Sequence, residues 1–194
     1  MWVKVCGVTR ADAVAAALDA GADAVGFVFS PSARQLTPAQ AATLAAPARG
    51  RATCVAVTLH PEQALVDEII RIFQPDLLQT DLADLKDLKI PATLACLPVL
   101  RGNATLRGIW PAQLLFEGPR SGSGELSDWA EAAQLARLTK IILAGGLSGL
   151  NVAAAIRTVH PFGVDASSGL ESEPGIKSVE KISAFVSAAR AATR

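Results

Sequence analysis

The chain has 194 residues, 51% hydrophobic and 19% charged, and its eighteen Lys and Arg balance eighteen Asp and Glu. That balance, without any Lys/Arg cluster, excludes the electrostatic footprint of a nucleic-acid binder and leaves anion recognition to a local site; no run of about 18 uncharged apolar residues exists to span a bilayer. Three cysteines without Cys-x-x-Cys spacing and two histidines fit a reducing cytosol better than a disulfide or zinc framework, and a start that moves straight into a strand without a long apolar region reads as cytoplasmic.

Residues 2–6 alternate and are β-branched, which predicts a strand with Lys4 and Cys6 on one face and Val3 and Val5 on the other. From Ala11 an Ala-rich segment has helical period and a stop at Gly21. Residues 23–29 are apolar on both faces, as strands of parallel sheets are. After a loop over 30–36, Thr37-Pro38 caps a helix with Pro at its first position. Strand 52–59, helix 61–73, a short strand 76–79, a short helix within 81–89 and strand 92–100 follow. Gly102, Asn103 and Gly108 reduce 101–111 to a turn. Strand 113–116 leads into a Gly/Ser-rich loop over 118–124, a candidate lid. Helix 128–138, strand 141–144, helix 151–159 and strand 162–166 precede a closing amphipathic helix over 177–194, with Val179, Ile182, Phe185 and Val186 on one side. Eight strand-like segments alternate with helix-like ones and no linker divides them. The expectation is one α/β domain over 1–194, a single (β/α)8 TIM barrel trimmed from the roughly 250 residues usual for it; a doubly wound open sheet is the alternative.

The stretch from 141 to 175 carries the strongest chemical signal. Two successive apolar strands end in small residues, Gly145-Gly146 and Ser167-Ser168-Gly169, whose backbone amides can point at a bound group. Amides in such nests favour phosphate, and loops after the seventh and eighth strands are where barrels bind it. The alternative makes both segments ordinary turns. On the same rim the pattern places Cys6 at the end of the first strand, Arg34 after the second, Glu117 after the sixth and Asp165 on the eighth. Cys6 is either a packed, inert thiol or a proton-transfer group. Lys4 beside it either lowers the thiol pKa or pairs with Asp165 inside the barrel. Glu117 is either an exposed loop carboxylate or a general acid in a partly desolvated site. Arg34 either faces solvent or grips a carboxylate with two parallel hydrogen bonds. Asp165, alternating with Gly163 and Ser167, faces inward and needs a partner or a substrate hydroxyl. Cys54 and Cys96 lie in mid-strand and read as core.

Over essentially its whole length the chain resembles phosphoribosylanthranilate isomerase, a (β/α)8 family. The likeness is most specific at Lys4-Val5-Cys6-Gly7-Val8-Thr9, at Gly26-Phe27-Val28-Phe29 with Ser32 and Arg34, at Gly122-Ser123-Gly124 with Trp129, at Leu143-Ala144-Gly145-Gly146-Leu147 with Asn151-Val152, and from Val164 to Glu171 with Pro174-Gly175-Ile176-Lys177. The resemblance implies an Amadori rearrangement of N-(5-phosphoribosyl)anthranilate, with Cys6 and Glu117 as base and acid and no metal or other cofactor. Its partner is a small phosphorylated substrate; monomer and homodimer both stay open. The chain departs from the family in carrying Glu117 where an Asp is usual, and Gln79-Thr80-Asp81-Leu82 where Gln-Leu-His-Gly is usual. These departures motivate two alternatives: a weakened phosphate-binding barrel acting as a binding module, or another sugar-phosphate isomerase or epimerase.

Overall fold

In the computed structural model, which describes residues 1–102, 110–118 and 126–193, strand β1 (Trp2–Cys6) has the expected two faces. Val3 and Val5 pack outward into the core shared with the helices, while Lys4 and Cys6 point into the barrel. Strands β2 (Ala24–Val28), β3 (Thr53–Val57), β4 (Leu77–Asp81), β5 (Ala95–Arg101), β6 (Gln113–Glu117), β7 (Lys140–Leu143) and β8 (Gly163–Ala166) each pair in parallel with the next. The sheet closes where β8 pairs with β1, placing Asp165 opposite Lys4. The architecture is therefore the closed eight-stranded barrel and not the open sheet.

Helices α1 (Ala11–Asp19), α2 (Pro38–Ala45), α3 (Gln63–Glu68), α4 (Trp129–Leu135), α5 (Val152–Val159) and α6 (Val179–Ala191) lie outside the strands. The start of α2 is the expected one. The Thr37 hydroxyl accepts from the Gln40 amide while the Gln40 side chain accepts from the Thr37 amide, a capping box with Pro38 inside it. The helix read over 61–73 changes character part-way. After α3 the chain widens into a π turn over Ile69–Phe73, ended by left-handed Gln74, with Phe73 packed at 5.2 Å from Phe27 and 5.3 Å from Phe29.

Two connections depart from the sequence reading. Between β4 and β5 only a 3-10 turn, Asp84–Lys86, replaces the helix expected within 81–89. The reason is local: Asp81 extends β4, and the Asp84 carboxylate is occupied with the Thr80 hydroxyl and with His60. Here the barrel is trimmed. After β8, a small hairpin of β9 (Glu171–Glu173) and β10 (Ile176–Lys177) precedes α6, so Lys177 belongs to a strand and Ser178 caps the helix by accepting from the Lys181 amide. Most of the turn read over 101–111 and of the loop over 118–124 lies outside the described residues.

Packing divides the barrel interior. An apolar layer of Leu97, Val99, Leu115, Ile142 and Ala144 fills part of it, while Lys4, Gln79, Asp81 and Asp165 are buried polar groups. Cys54 is buried as expected, but Cys96 is only half-buried at the edge of the outer core. No described helix is long and apolar enough to cross a membrane.

Candidate active site

Strand ends of a parallel barrel meet on one rim, so residues far apart in the chain share a cavity. Eight of the nine candidate residues, Cys6, Arg34, Glu117, Gly145, Gly146, Asp165, Ser167 and Ser168, line one such cavity. The ninth, Gly169, stands behind it. A Cβ there would sit 2.1 Å from the Leu147 carbonyl oxygen, so the loops after β7 and β8 touch at a point that only glycine can occupy. Gly145 and Gly146 take φ of 92° and 63°, the left-handed turn that lets their backbone skirt the cavity. Asn151 braces this turn, its amide nitrogen donating to the Gly146 carbonyl and its Oδ1 accepting from the Ser148 amide.

Both alternatives for Lys4 are partly realised. Its Nζ lies 3.1 Å from Asp165 Oδ1, a fully buried ammonium paired with a nearly buried carboxylate. Burial alone would lower the Lys4 pKa, but Asp165 and Cys6 together raise it above the ordinary value. Burial drives the Cys6 thiol up, and Asp165 adds to this, while Lys4 and Lys177 offset only part of it. Lys4 thus moderates the thiol without making it a resting thiolate. Burial also raises Cys54, to about 11, and Cys96. Because the thiolate is the nucleophile, iodoacetamide should label the folded protein at pH 7 far more slowly than free cysteine. Labelling should climb about tenfold per pH unit and keep climbing where free cysteine, of pKa about 8.5, has levelled off. Mass spectrometry showing Cys6 modified at the free-cysteine rate at pH 7 would contradict the raised thiol.

Arg34 lines the cavity, yet one edge of its guanidinium is already engaged. Nε and Nη2 donate to Glu171 at 2.6 and 2.9 Å, and this contact raises Arg34 further above its ordinary pKa. Lys177 donates to Glu171 at 2.6 Å and to the Ser167 hydroxyl at 3.3 Å, so an ammonium stands beside the Ser167-Ser168 turn. Burial lowers Lys177. For Glu171, burial acts upward but the two cations outweigh it and hold the carboxyl below its usual range.

Across the same rim Arg101 donates from Nε and Nη2 to both Asp81 oxygens, at 3.0 and 2.7 Å, and from Nη1 to Glu117 Oε1. The charge that Asp81 brings to the rim is therefore matched. Gln79 also lines the cavity, and its buried Oε1 has no hydrogen-bond partner among the described residues. Arg101, Gln79, Glu171 and Lys177 were not among the sequence-derived site residues. Period-two alternation along β5, through Leu97 and Val99, carries Arg101 inward once the strand is extended by one residue. Among the described residues no group of three or more His, Cys, Asp or Glu side chains is placed to hold a metal.

Comparison with known proteins agrees with the barrel fold. The family model described as N-(5'-phosphoribosyl)anthranilate (PRA) isomerase matches residues 3–188. The N-(5'-phosphoribosyl)anthranilate isomerase of a Bradyrhizobium species is 40% identical, covering 99% of this chain and 96% of its own; that of Roseiflexus castenholzii is also 40% identical, covering 100% of both. Among solved structures, phosphoribosyl anthranilate isomerase from Thermus thermophilus superposes with a TM-score of 0.85 at 27% identity over 100% of both chains. TrpF from Jonesia denitrificans superposes with a TM-score of 0.82 at 35% identity, over 100% of this chain and 98% of its own. The chain belongs to the N-(5'-phosphoribosyl)anthranilate isomerase family.

Proposed function

We propose that this protein catalyses the Amadori rearrangement of N-(5'-phosphoribosyl)anthranilate to 1-(2-carboxyphenylamino)-1-deoxyribulose 5-phosphate, the isomerase step of tryptophan biosynthesis, in the cytoplasm. The observation that carries the reading is that a thiol and a carboxyl, Cys6 and Glu117, line the cavity that the two glycine- and serine-bearing loops also line. Glu117 gives a proton to the ribose ring oxygen, and the C1–O bond breaks to leave an open-chain Schiff base. Cys6, once its thiol proton has passed to solvent, removes the C2 proton as thiolate, and the electron pair moves to form the enolamine, which tautomerises to the ketone. A thiol whose proton is held tightly becomes a strong base once that proton is lost, and the Lys4 ammonium stabilises the anion.

The remaining residues bind and orient. Amides around Gly145, Gly146, Ser167 and Ser168 receive the phosphate, and Gly169 lets their loops close on each other. Arg34 takes the anthranilate carboxylate with the edge of its fork not turned to Glu171, and Asp165 accepts from a sugar hydroxyl.

Rescue of a tryptophan-requiring strain lacking the isomerase, followed by a fluorescence assay on phosphoribosylanthranilate, tests the assignment. Growth and turnover should be restored. Glu117→Gln should lose about 10²–10⁴-fold in kcat, whereas Arg34→Ala should chiefly raise KM. Binding of the phosphate ester without turnover would favour a binding module, and turnover of a different sugar phosphate would favour another isomerase on the same barrel.

A further inference from the structure

We propose that Arg101, held from behind by Asp81, is a positioning residue for the Glu117 carboxyl over the cavity. The inference rests on Glu117 being the acid of the isomerisation. Arg101 ends β5 and is the register partner of Glu117 at the end of β6, while Asp81 ends the strand on the other side. Two edges of one guanidinium are thereby divided between two carboxylates. Nε and Nη2 take both Asp81 oxygens, at 3.0 and 2.7 Å, and Nη1 is left pointing at Glu117 Oε1.

A planar fork bound at two points cannot rotate, so its third contact has a fixed direction. The three side chains are all largely withdrawn from water, at 19% exposure for Arg101, 12% for Asp81 and 14% for Glu117. Glu117 lines the cavity, and Arg101 does not appear among its described lining residues. A change at Arg101 thus reaches a bound substrate through Glu117. His60 does not compete for Asp81: its ring is 4.0 Å from Asp81 but 2.8 Å from Asp84.

The experiment is a mutant cycle on the full chain, read as kcat and KM separately with thermal melts alongside. Arg101→Ala should lose about 10²-fold in kcat, the scale of an ångström-sized misplacement, while KM changes less than about threefold. In a Glu117→Gln background the same substitution should cost nothing further. Added guanidinium chloride should restore part of the Arg101→Ala rate where equal sodium chloride does not. If Arg101→Ala is insoluble because Asp81 is left unpaired, Arg101→Ala/Asp81→Asn removes that charge and should show the same kcat loss. Wild-type kcat in these variants, a loss confined to KM, or a loss that multiplies with Glu117→Gln would overturn the inference while leaving the acid assignment intact. Full turnover by Glu117→Gln would overturn both.

Discussion

Cys6→Ser is expected to slow turnover of phosphoribosylanthranilate by about 10²–10⁴-fold, the usual contribution of a positioned proton-transfer group, with KM within about twofold of wild type. Serine has nearly the same shape and should sit in the same buried niche, so the melting temperature should barely move. What changes is the acidity of the group. A thiol raised by burial can still yield a thiolate at accessible pH, whereas a hydroxyl in that niche yields no comparable base. Steady-state kinetics on phosphoribosylanthranilate decides the matter. Undiminished kcat for Cys6→Ser would remove the thiol from the reaction and shift attention to the Lys4–Asp165 pair beneath it.

Asp165→Ala is expected to be the most destabilising single change among the site residues. It leaves the Lys4 ammonium, fully buried, without the carboxylate 3.1 Å away. Removing one partner of a buried ion pair costs about 3–5 kcal/mol, a large share of the roughly 5–15 kcal/mol that holds a domain folded. For a chain of this size the melting temperature should fall by roughly 10 °C or more. The pH dependence has a definite sign. Lys4 is raised in the folded state, so its stabilising contribution is fully present below the unfolded lysine value, near 10.4, and is lost as pH rises through the higher folded value. In Asp165→Ala the lowering effect of burial on Lys4 is opposed only by Cys6, so the variant sheds that proton at lower pH than wild type does, and the gap between them should be widest towards acid and neutral pH and close as pH rises into alkali. Asp165→Asn, which keeps the shape and one acceptor, should lose less. Equal melting of Asp165→Ala and wild type would show that the pair contributes nothing.

How far the sequence foretold this arrangement depended on how local the signal was. Lys4 and Cys6 were legible as inward-facing because alternation over five residues is enough to separate the faces of a strand. The Gly145-Gly146 and Ser167-Ser168 loops were legible for the same reason: backbone freedom is written at the position that uses it. Arg101 was not, because a cation after an apolar run reads as the point where a strand meets solvent, and its two partners lie 20 residues before and 16 after it. Likewise Glu171 was part of a recognisable motif, but its hold on Arg34, 137 residues away, exists only once the barrel has closed. The connection after β4 shows the converse. Its helical period was weak, and the side-chain contacts of Thr80, Asp84 and His60 settled its shape instead.

The depth of Cys6 has a further consequence, for endurance as opposed to rate. Peroxide attacks cysteine in proportion to its thiolate character and exposure, giving sulfenic acid and then irreversible products. A sulfur buried among the strand ends beneath the cavity and held protonated by that burial is a poor target for that damage, so the same burial that makes the proton hard to remove also spares the group from oxidants.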